Sequence, residues 1–406
     1  MADMAGDEKC SAASDRPGPL AGIRVLDLTS TISGPFCTLL LAQLGATIDK
    51  IEPPTGDVLR QVSGGRNEGM SPLYISFNSG KRSVRLDLSK EADRQLLRRS
   101  FASFDVIVHN MRPSAASRLG LSAQTLREVD SHAVLCEIVG YGPGPFQDRP
   151  AYDDTIQAAC GMAWVQGNGA QPEYVRTAIA DKTAGLYAAV AICAELAGRA
   201  RDAPPRVLKI PMLESLAAFT TLEQLGGVTF DPPTGPPLYA RTASPNRRPY
   251  ATADGHLSVL LYTDRHWTSF LTEIGRDDLC SDARFATLSG RSANIDEVYA
   301  FVADQIARRS TDEWVEVLER IDVPHAPVNS ISDLLRDGHL APVDMFPLRR
   351  HPTEGPIRIA RAPFLFDDRP LPPTSFAQRL GAATDDFIAE HAADAGGHSA
   401  VEASQQ

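Results

Sequence analysis

The chain has 406 residues, 43% hydrophobic and 22% charged, enough for two or three domains that each bury a core. Its net charge of -11 argues against nucleic-acid or anionic-membrane partners, which call for a basic field. Any anion site must then be locally basic.

The first 19 residues are small and polar and read as a disordered leader, as does the tail at 392–406. The leader has neither a signal-peptide core nor an Arg-rich transit pattern. No apolar run nears membrane-spanning length, so no membrane partner and a cytoplasmic location are expected. The six cysteines, at 10, 37, 136, 160, 193 and 280, form no CxxC pair and no metal-like cluster with histidine. Unpaired thiols in a reducing compartment are expected.

Ile23–Leu28 reads as a strand. Gly34-Pro35 opens a helix that runs to Leu44 and stops at Gly45, and Ala46–Ile51 reads as the next strand. Together these make a βαβ unit. Further strands are predicted at Ser83–Asp87, Phe104–His109 and Ala133–Ile138, with a helix at Glu91–Ser103. Strands alternating with helices imply a mainly parallel sheet covered on both faces. From Asp153 to Leu225 the pattern is helical and Ala-rich, and a Pro/Gly stretch follows at Asp231–Pro237. A smaller α+β module follows, with a strand at Leu257–Leu261 and helices at His266–Ile274, Ile295–Arg309 and Thr311–Ile321. The division expected is 20–225 for the first part of a large domain, 226–238 for a linker, 239–328 for a small domain and 329–391 for a return to the large one.

Five places could carry chemistry. The turn Leu28-Thr29-Ser30-Thr31-Ile32-Ser33-Gly34-Pro35 is not a dinucleotide or P-loop motif, but a hydroxyl-rich strand-to-helix turn offers backbone N–H groups to an anion. Its plainer reading is a helix cap. Arg112 and Arg118 follow a strand end, where open α/β sheets bind ligands, and could hold phosphate; Lys81-Arg82 is a similar case. Asp181 precedes a small-residue helix, and its plainer reading is again an N-cap. For Asp153 and Asp154 the plainer reading is helix-dipole stabilisation. The residue pattern alone reaches a parallel α/β protein with an anionic ligand, and no reaction.

Several segments in order resemble the family III CoA transferases, which include formyl-CoA and carnitine CoA-transferases and α-methylacyl-CoA racemases. They are Leu20–Leu28, Gly34-Pro35-Phe36 with Leu41–Ala46, Lys50–Asp57, Asn78–Ser83, Asn110–Pro113, Gly140-Tyr141-Gly142 and Val323–Asn329. The resemblance covers about Leu20 to Ile388. It implies a Rossmann-like large domain built from both chain ends, a smaller inserted α+β domain, and a homodimer of two interlocked chains. It places the catalytic aspartate at Asp181 and an assisting carboxylate at Asp153. CoA contacts fall at Ser30, Thr31, Ile32, Leu86, Leu88, Asn110, Met111, Arg118, Arg149 and Tyr152. The substrates implied are an acyl-CoA donor and a small carboxylic acid acceptor, with no permanently bound cofactor and no metal.

In the implied chemistry the Asp181 carboxylate attacks the donor thioester, giving a mixed anhydride and CoA thiolate. The thiolate then forms an aspartyl-CoA thioester, and the acceptor acid reverses these steps. Asp181 must be ionised for this, which is expected at neutral pH. The triplet Ala151-Tyr152-Asp153 lacks the histidine of the racemases, so two-base epimerisation loses a partner. The turn Ser30-Thr31-Ile32 and the lack of a Gly-rich run at 226–262 depart from formyl-CoA transferases. A racemase or a non-catalytic CoA-binding relative are the alternatives.

Overall fold

Six short strands assemble into one parallel sheet. The computed structural model describes residues 17–167, 171–200 and 203–392; nearly all of the expected leader and tail lies outside the described residues. The described residues form two units, one from within 1–162, 174–219 and 338–406, the other from within 163–173 and 220–337.

The larger unit opens with β1 (Arg24–Leu28), α1 (Ser33–Gln43), β2 (Thr47–Glu52), α2 (Pro72–Asn78) and β3 (Lys81–Arg85). Then come α3 (Glu91–Ser100), β4 (Val106–His109), α4 (Pro113–Arg118), α5 (Ala123–Glu128), β5 (Val134–Val139) and α6 (Asp153–Ala159). After the short α7 (Met162–Gln166) the chain returns with α8 (Ile179–Gly198), β6 (Arg206–Pro211) and α9 (Met212–Gln224). The sheet order is β3-β2-β1-β4-β5-β6, with every pairing parallel. This is the doubly wound order, in which the winding reverses between β1 and β4.

Both faces of the central strands β1, β2, β4 and β5 are largely buried, as a parallel sheet requires. Alternation along the chain sends Val25, Ile48, Val106, Val108 and Val134 to one core and Leu26, Ile51, Val84, Ile107 and Leu135 to the other. On the first face lie α1 and α8. Ala180, Ala184 and Ala188 are fully buried there, and their small side chains let the two helices close up. At Gly185 a Cβ would sit 2.6 Å from the Ser33 carbonyl oxygen, so the start of α8 is pinned to the start of α1.

The sequence pattern missed β6, the helices α2, α4 and α5, and the helix at Thr384–Ala392 of this unit. β6 falls inside the stretch expected to be helical; it is a half-exposed edge strand whose apolar residues are only Val207, Leu208 and Ile210. α2 is capped by Ser71, whose hydroxyl accepts from Tyr74 N at 3.0 Å.

The smaller unit contains α10 (Ala240–Ala243), β7 (Tyr250–Ala251), β8 (His256–Val259), α11 (Asp264–Glu273), α12 (Leu288–Ala293), α13 (Ile295–Ile306), α14 (Thr311–Arg320) and β9 (His325–Pro327). Its antiparallel sheet has the order β7-β8-β9. The amphipathic helices bury Trp267, Phe270, Val298, Val302, Trp314 and Leu318 in a core of their own. Back in the larger unit, the chain forms the hairpins β10 (Leu348–His351)–β11 (Gly355–Arg358) and β12 (Leu365–Phe366)–β13 (Arg369–Pro370). It ends in α15 (Thr384–Ala392). Phe387 of α15 is fully buried in the second core of the large sheet, and Glu390 pairs with Arg82 of β3 at 2.8 Å.

Candidate active site

A buried ionic network sets the turn after β1. Asp27, fully buried at the end of that strand, accepts from Thr29 N at 2.9 Å and Thr29 Oγ1 at 2.5 Å. It also accepts from Thr38 Oγ1 at 2.6 Å and Lys81 Nζ at 3.1 Å. Burial would raise the Asp27 carboxyl, but Lys81, Lys50 and the two hydroxyls outweigh it and hold it far below the usual carboxylate range. Lys50, also fully buried, donates to the Thr29 carbonyl at 2.8 Å and pairs with Asp57 at 2.9 Å. Asp57 accepts from Thr31 N at 3.3 Å, and Thr31 is held at φ +69, a costly conformation for a β-branched residue. Lys81 is thus a structural cation; it is only 2% exposed and is not free for a phosphate.

The turn meets the end of β4. Asn110 Nδ2 donates to the Ser30 carbonyl at 2.8 Å, and its Oδ1 accepts from Ser30 N at 3.1 Å. These bonds use N–H groups that the sequence reading left open to an anion. They also place Ser30 and Asn110 side by side at the switch point between β1 and β4.

Asp181 lies over this point. α8 begins at Ile179 with Ala178 as its N-cap, so Asp181 sits inside the first turn and is not the cap. The capping carboxylate comes from another helix: Asp153 Oδ1 accepts from Asp181 N at 3.0 Å. Asp153 is held by Gln157, whose Nε2 donates to Oδ2 at 2.6 Å. Gln157 is fully buried and its Oε1 accepts from Val175 N at 2.8 Å, tying down the segment that leads into α8.

Burial foremost, and then the Asp153 carboxylate, push the Asp181 carboxyl up to about 7, against a hydrogen bond from the Ser33 hydroxyl. At pH 7 it is therefore about half ionised, less than the sequence reading expected. Among the described residues no cation pairs with it.

Asp181 lines two adjoining clefts. One, of about 200 Å³, brings it together with Ser30, Thr31, Asn110, Met111, Arg149 and Tyr152, all expected from sequence. Ser33, Arg112 and Met212 line it as well. The other runs past Ile32, Tyr152 and Asp153 to Tyr174 and Arg176. Arg149 stacks on Phe146, its guanidinium carbon 3.7 Å from the ring centre. A Cβ on Gly140 would lie 2.4 Å from the Ala151 Cβ, so the glycine lets this loop press against the end of β5. Three expected contacts are not brought into either cleft. Arg118 is exposed at the end of α4, Leu86 is 2% exposed in the core of the sheet, and Leu88 packs beside it. Gln157, Ser33 and Met212 were missed by sequence reasoning, because only the fold brings them to Asp181. No group of three or more His, Cys, Asp or Glu among the described residues could hold a metal, and no described helix is long and apolar enough to cross a membrane.

This fold matches known proteins over most of the chain. The solved structure of a CAIB/BAIF family protein from Brucella suis has a TM-score of 0.78 at 26% identity, covering 92% of this chain and 100% of that one. A probable fatty acyl-CoA transferase of Mycobacterium tuberculosis is 31% identical, the alignment covering 74% of this chain and 80% of that protein. A succinyl-CoA:mesaconate CoA-transferase of Haloarcula hispanica is 30% identical over 80% of this chain and 83% of its own length. The model of CoA-transferase family III matches residues 20–384. The chain belongs to CoA-transferase family III.

Proposed function

We propose that the protein moves CoA from an acyl-CoA thioester to an acceptor carboxylic acid, with Asp181 as the covalent carrier. The observation that carries this reading is a carboxyl group raised to about 7 by burial and by Asp153, facing a cleft at the sheet's switch point. A structural carboxylate would be given a counter-charge. One kept without a cation, yet ionisable near neutral pH, suits a nucleophile.

In the first step an Asp181 oxygen attacks the thioester carbonyl. The tetrahedral intermediate collapses with loss of CoA thiolate and leaves an acyl–aspartyl anhydride. The thiolate then attacks the aspartyl carbonyl, the donor acid leaves as carboxylate, and aspartyl-CoA remains. The acceptor carboxylate attacks aspartyl-CoA, and the thiolate released again attacks the acyl carbonyl of the second anhydride, freeing Asp181. No proton is gained or lost overall. Asp153 is the positioning residue: its bond to Asp181 N fixes the first turn of α8, and its charge helps raise Asp181. The Ser33 hydroxyl orients the attacking carboxylate. Arg112 and Arg149 supply the cleft's positive charge for the phosphates of CoA, with Ser30, Thr31, Asn110, Met111 and Tyr152 lining the path.

Epimerisation is disfavoured because among the described residues no histidine lines either cleft beside Asp181. The working form is a homodimer of interlocked chains. In support, α8 leaves Leu186, Tyr187 and Val190 at 49%, 41% and 64% exposed, an apolar face suited to a second copy. Light scattering that finds a stable, active monomer would remove the dimer.

The test is a screen of acyl-CoA donors and acid acceptors by mass spectrometry, followed by trapping with hydroxylamine. Transfer with label on Asp181 alone supports the reading. CoA binding without exchange for any pair would leave a binding protein.

A further inference from the structure

The smaller unit, taken by itself, holds a cavity of about 620 Å³. Four arginines line it, Arg241, Arg247, Arg248 and Arg291, and among the described residues no acidic side chain does. In a chain with 51 acidic and 40 basic residues, such a lining concentrates positive potential.

The arginines divide into two kinds. Arg291 is structural: it is 3% exposed, pairs with Asp264, and donates to the Phe285 carbonyl at 2.6 Å. The other three form no ion pair among the described residues. Arg241 is half-buried, donates from Nε to the Tyr299 hydroxyl at 3.0 Å, and lies 5.3 Å from the centre of the Tyr262 ring. One edge of its guanidinium is thus fixed by a phenol. Arg247 and Arg248 are exposed.

The remaining wall is apolar and aromatic. Leu260, Tyr262 and Leu288 are 40%, 52% and 54% exposed, and Trp267 closes the floor at 4%. Apolar surface left open beside unneutralised guanidinium groups fits a ligand with an anionic head and an apolar body. The volume lies in the range of small-molecule sites and exceeds what a four-carbon diacid fills.

We propose that this cavity binds a carboxylic acid with an aromatic or branched aliphatic body. Its carboxylate is held by the forks of Arg241, Arg247 and Arg248, and its body lies against Tyr262, Leu260 and Leu288. The choice of a carboxylate over another anion rests on the CoA-transfer reading above; the cavity and its charge do not.

The test is calorimetric titration of the full-length protein with 4-phenylbutyrate, 3-methylbutyrate and 4-methylpentanoate, then with 4-phenylbutyramide, CoA and inorganic phosphate. At least one acid should bind and the amide should not. The double variant Arg247→Ala/Arg248→Ala, at two exposed positions the fold does not need, should weaken the acid at least about tenfold and leave CoA affinity unchanged. Arg241→Gln, which keeps a donor for Tyr299, should weaken it as well. The proposal is overturned if no acid binds, if the amide binds as tightly as the acid, or if acid affinity survives the double variant. It is also overturned if the double variant loses CoA or phosphate instead, which would make the cavity a phosphate site. Transfer is assayed in parallel on the wild type. Acid binding that follows these arginines without any transfer would sink the transferase reading and uphold the site; transfer without acid binding would do the reverse.

Discussion

Replacing Asp181 by asparagine should abolish transfer and, above pH 7, stabilise the fold. The folded carboxyl is raised from 3.8 to about 7. A raised carboxyl binds its proton more tightly folded than unfolded, so its contribution to stability is fully present below about pH 4 and is lost as pH rises through 7. Three units amount to about 4 kcal/mol. At pH 8 the wild type carries all of that cost and the asparagine variant none. Weakening the bond from Ser33, now made to a neutral acceptor, takes back about 1 kcal/mol. Urea unfolding at pH 8 should therefore find the variant about 3 kcal/mol more stable, with the gap closing towards pH 5. Transfer should fall at least about a thousandfold, as expected for loss of a nucleophile, with CoA binding retained. An aspartate that only served the α8 dipole predicts the opposite sign, a loss of about 0.3–1 kcal/mol on replacement. Near-normal transfer, or a variant less stable than wild type at pH 8, would refute the nucleophilic role.

Since only ionised Asp181 attacks, kcat/KM should rise with pH through an apparent pKa near 7 and level off above it; a profile flat from pH 5.5 to 8 would show that another group limits the rate. Arg149→Ala should weaken CoA binding by about 1–3 kcal/mol, in a salt-dependent way, while Arg118→Ala, outside the cleft, should matter less; calorimetry giving the reverse order would move the phosphate site to the end of α4. Gln157→Ala removes the bonds to Asp153 and Val175 and should destabilise the fold by about 1–3 kcal/mol. It should also lower kcat more than it raises KM, and Gln157→Glu, which still accepts from Val175 N but sets a second buried carboxylate against Asp153, should recover neither stability nor rate.

Five of the six sheet strands were legible; β1, β4 and β5 are mainly apolar runs, as parallel strands buried on both faces require, whereas β2 and β3 carry the buried charges of Asp49, Lys50 and Lys81. β6 was not: it is a half-exposed edge strand set between two helices, so the whole stretch read as helical. Within the site, Asp181 could be singled out only by resemblance, since its local context equally suits a cap. It is not the cap because α8 already begins at Ile179, and the carboxylate that caps instead, Asp153, lies 28 residues away in sequence, a pair no local pattern reports. Lys81 could be taken for an anion ligand because sequence shows a cation at a strand start but not the buried Asp27 that claims it. The same limit applied to Arg112 and Arg118: both follow β4, and only the course of α4 decides which faces the crevice.

The network under the first turn divides labour between frame and surface. Asp27, Lys50 and Lys81 hold the loop's course from beneath, each 2% exposed or less, and removing one partner of such a buried pair costs about 3–5 kcal/mol. Ser30, Thr31 and Ile32 ride on that frame and supply little of its support. Their side chains are therefore open to redesign: a library over these three positions, with glycine or asparagine allowed at the left-handed Thr31, can alter which thioesters are accepted while the backbone beneath keeps its shape.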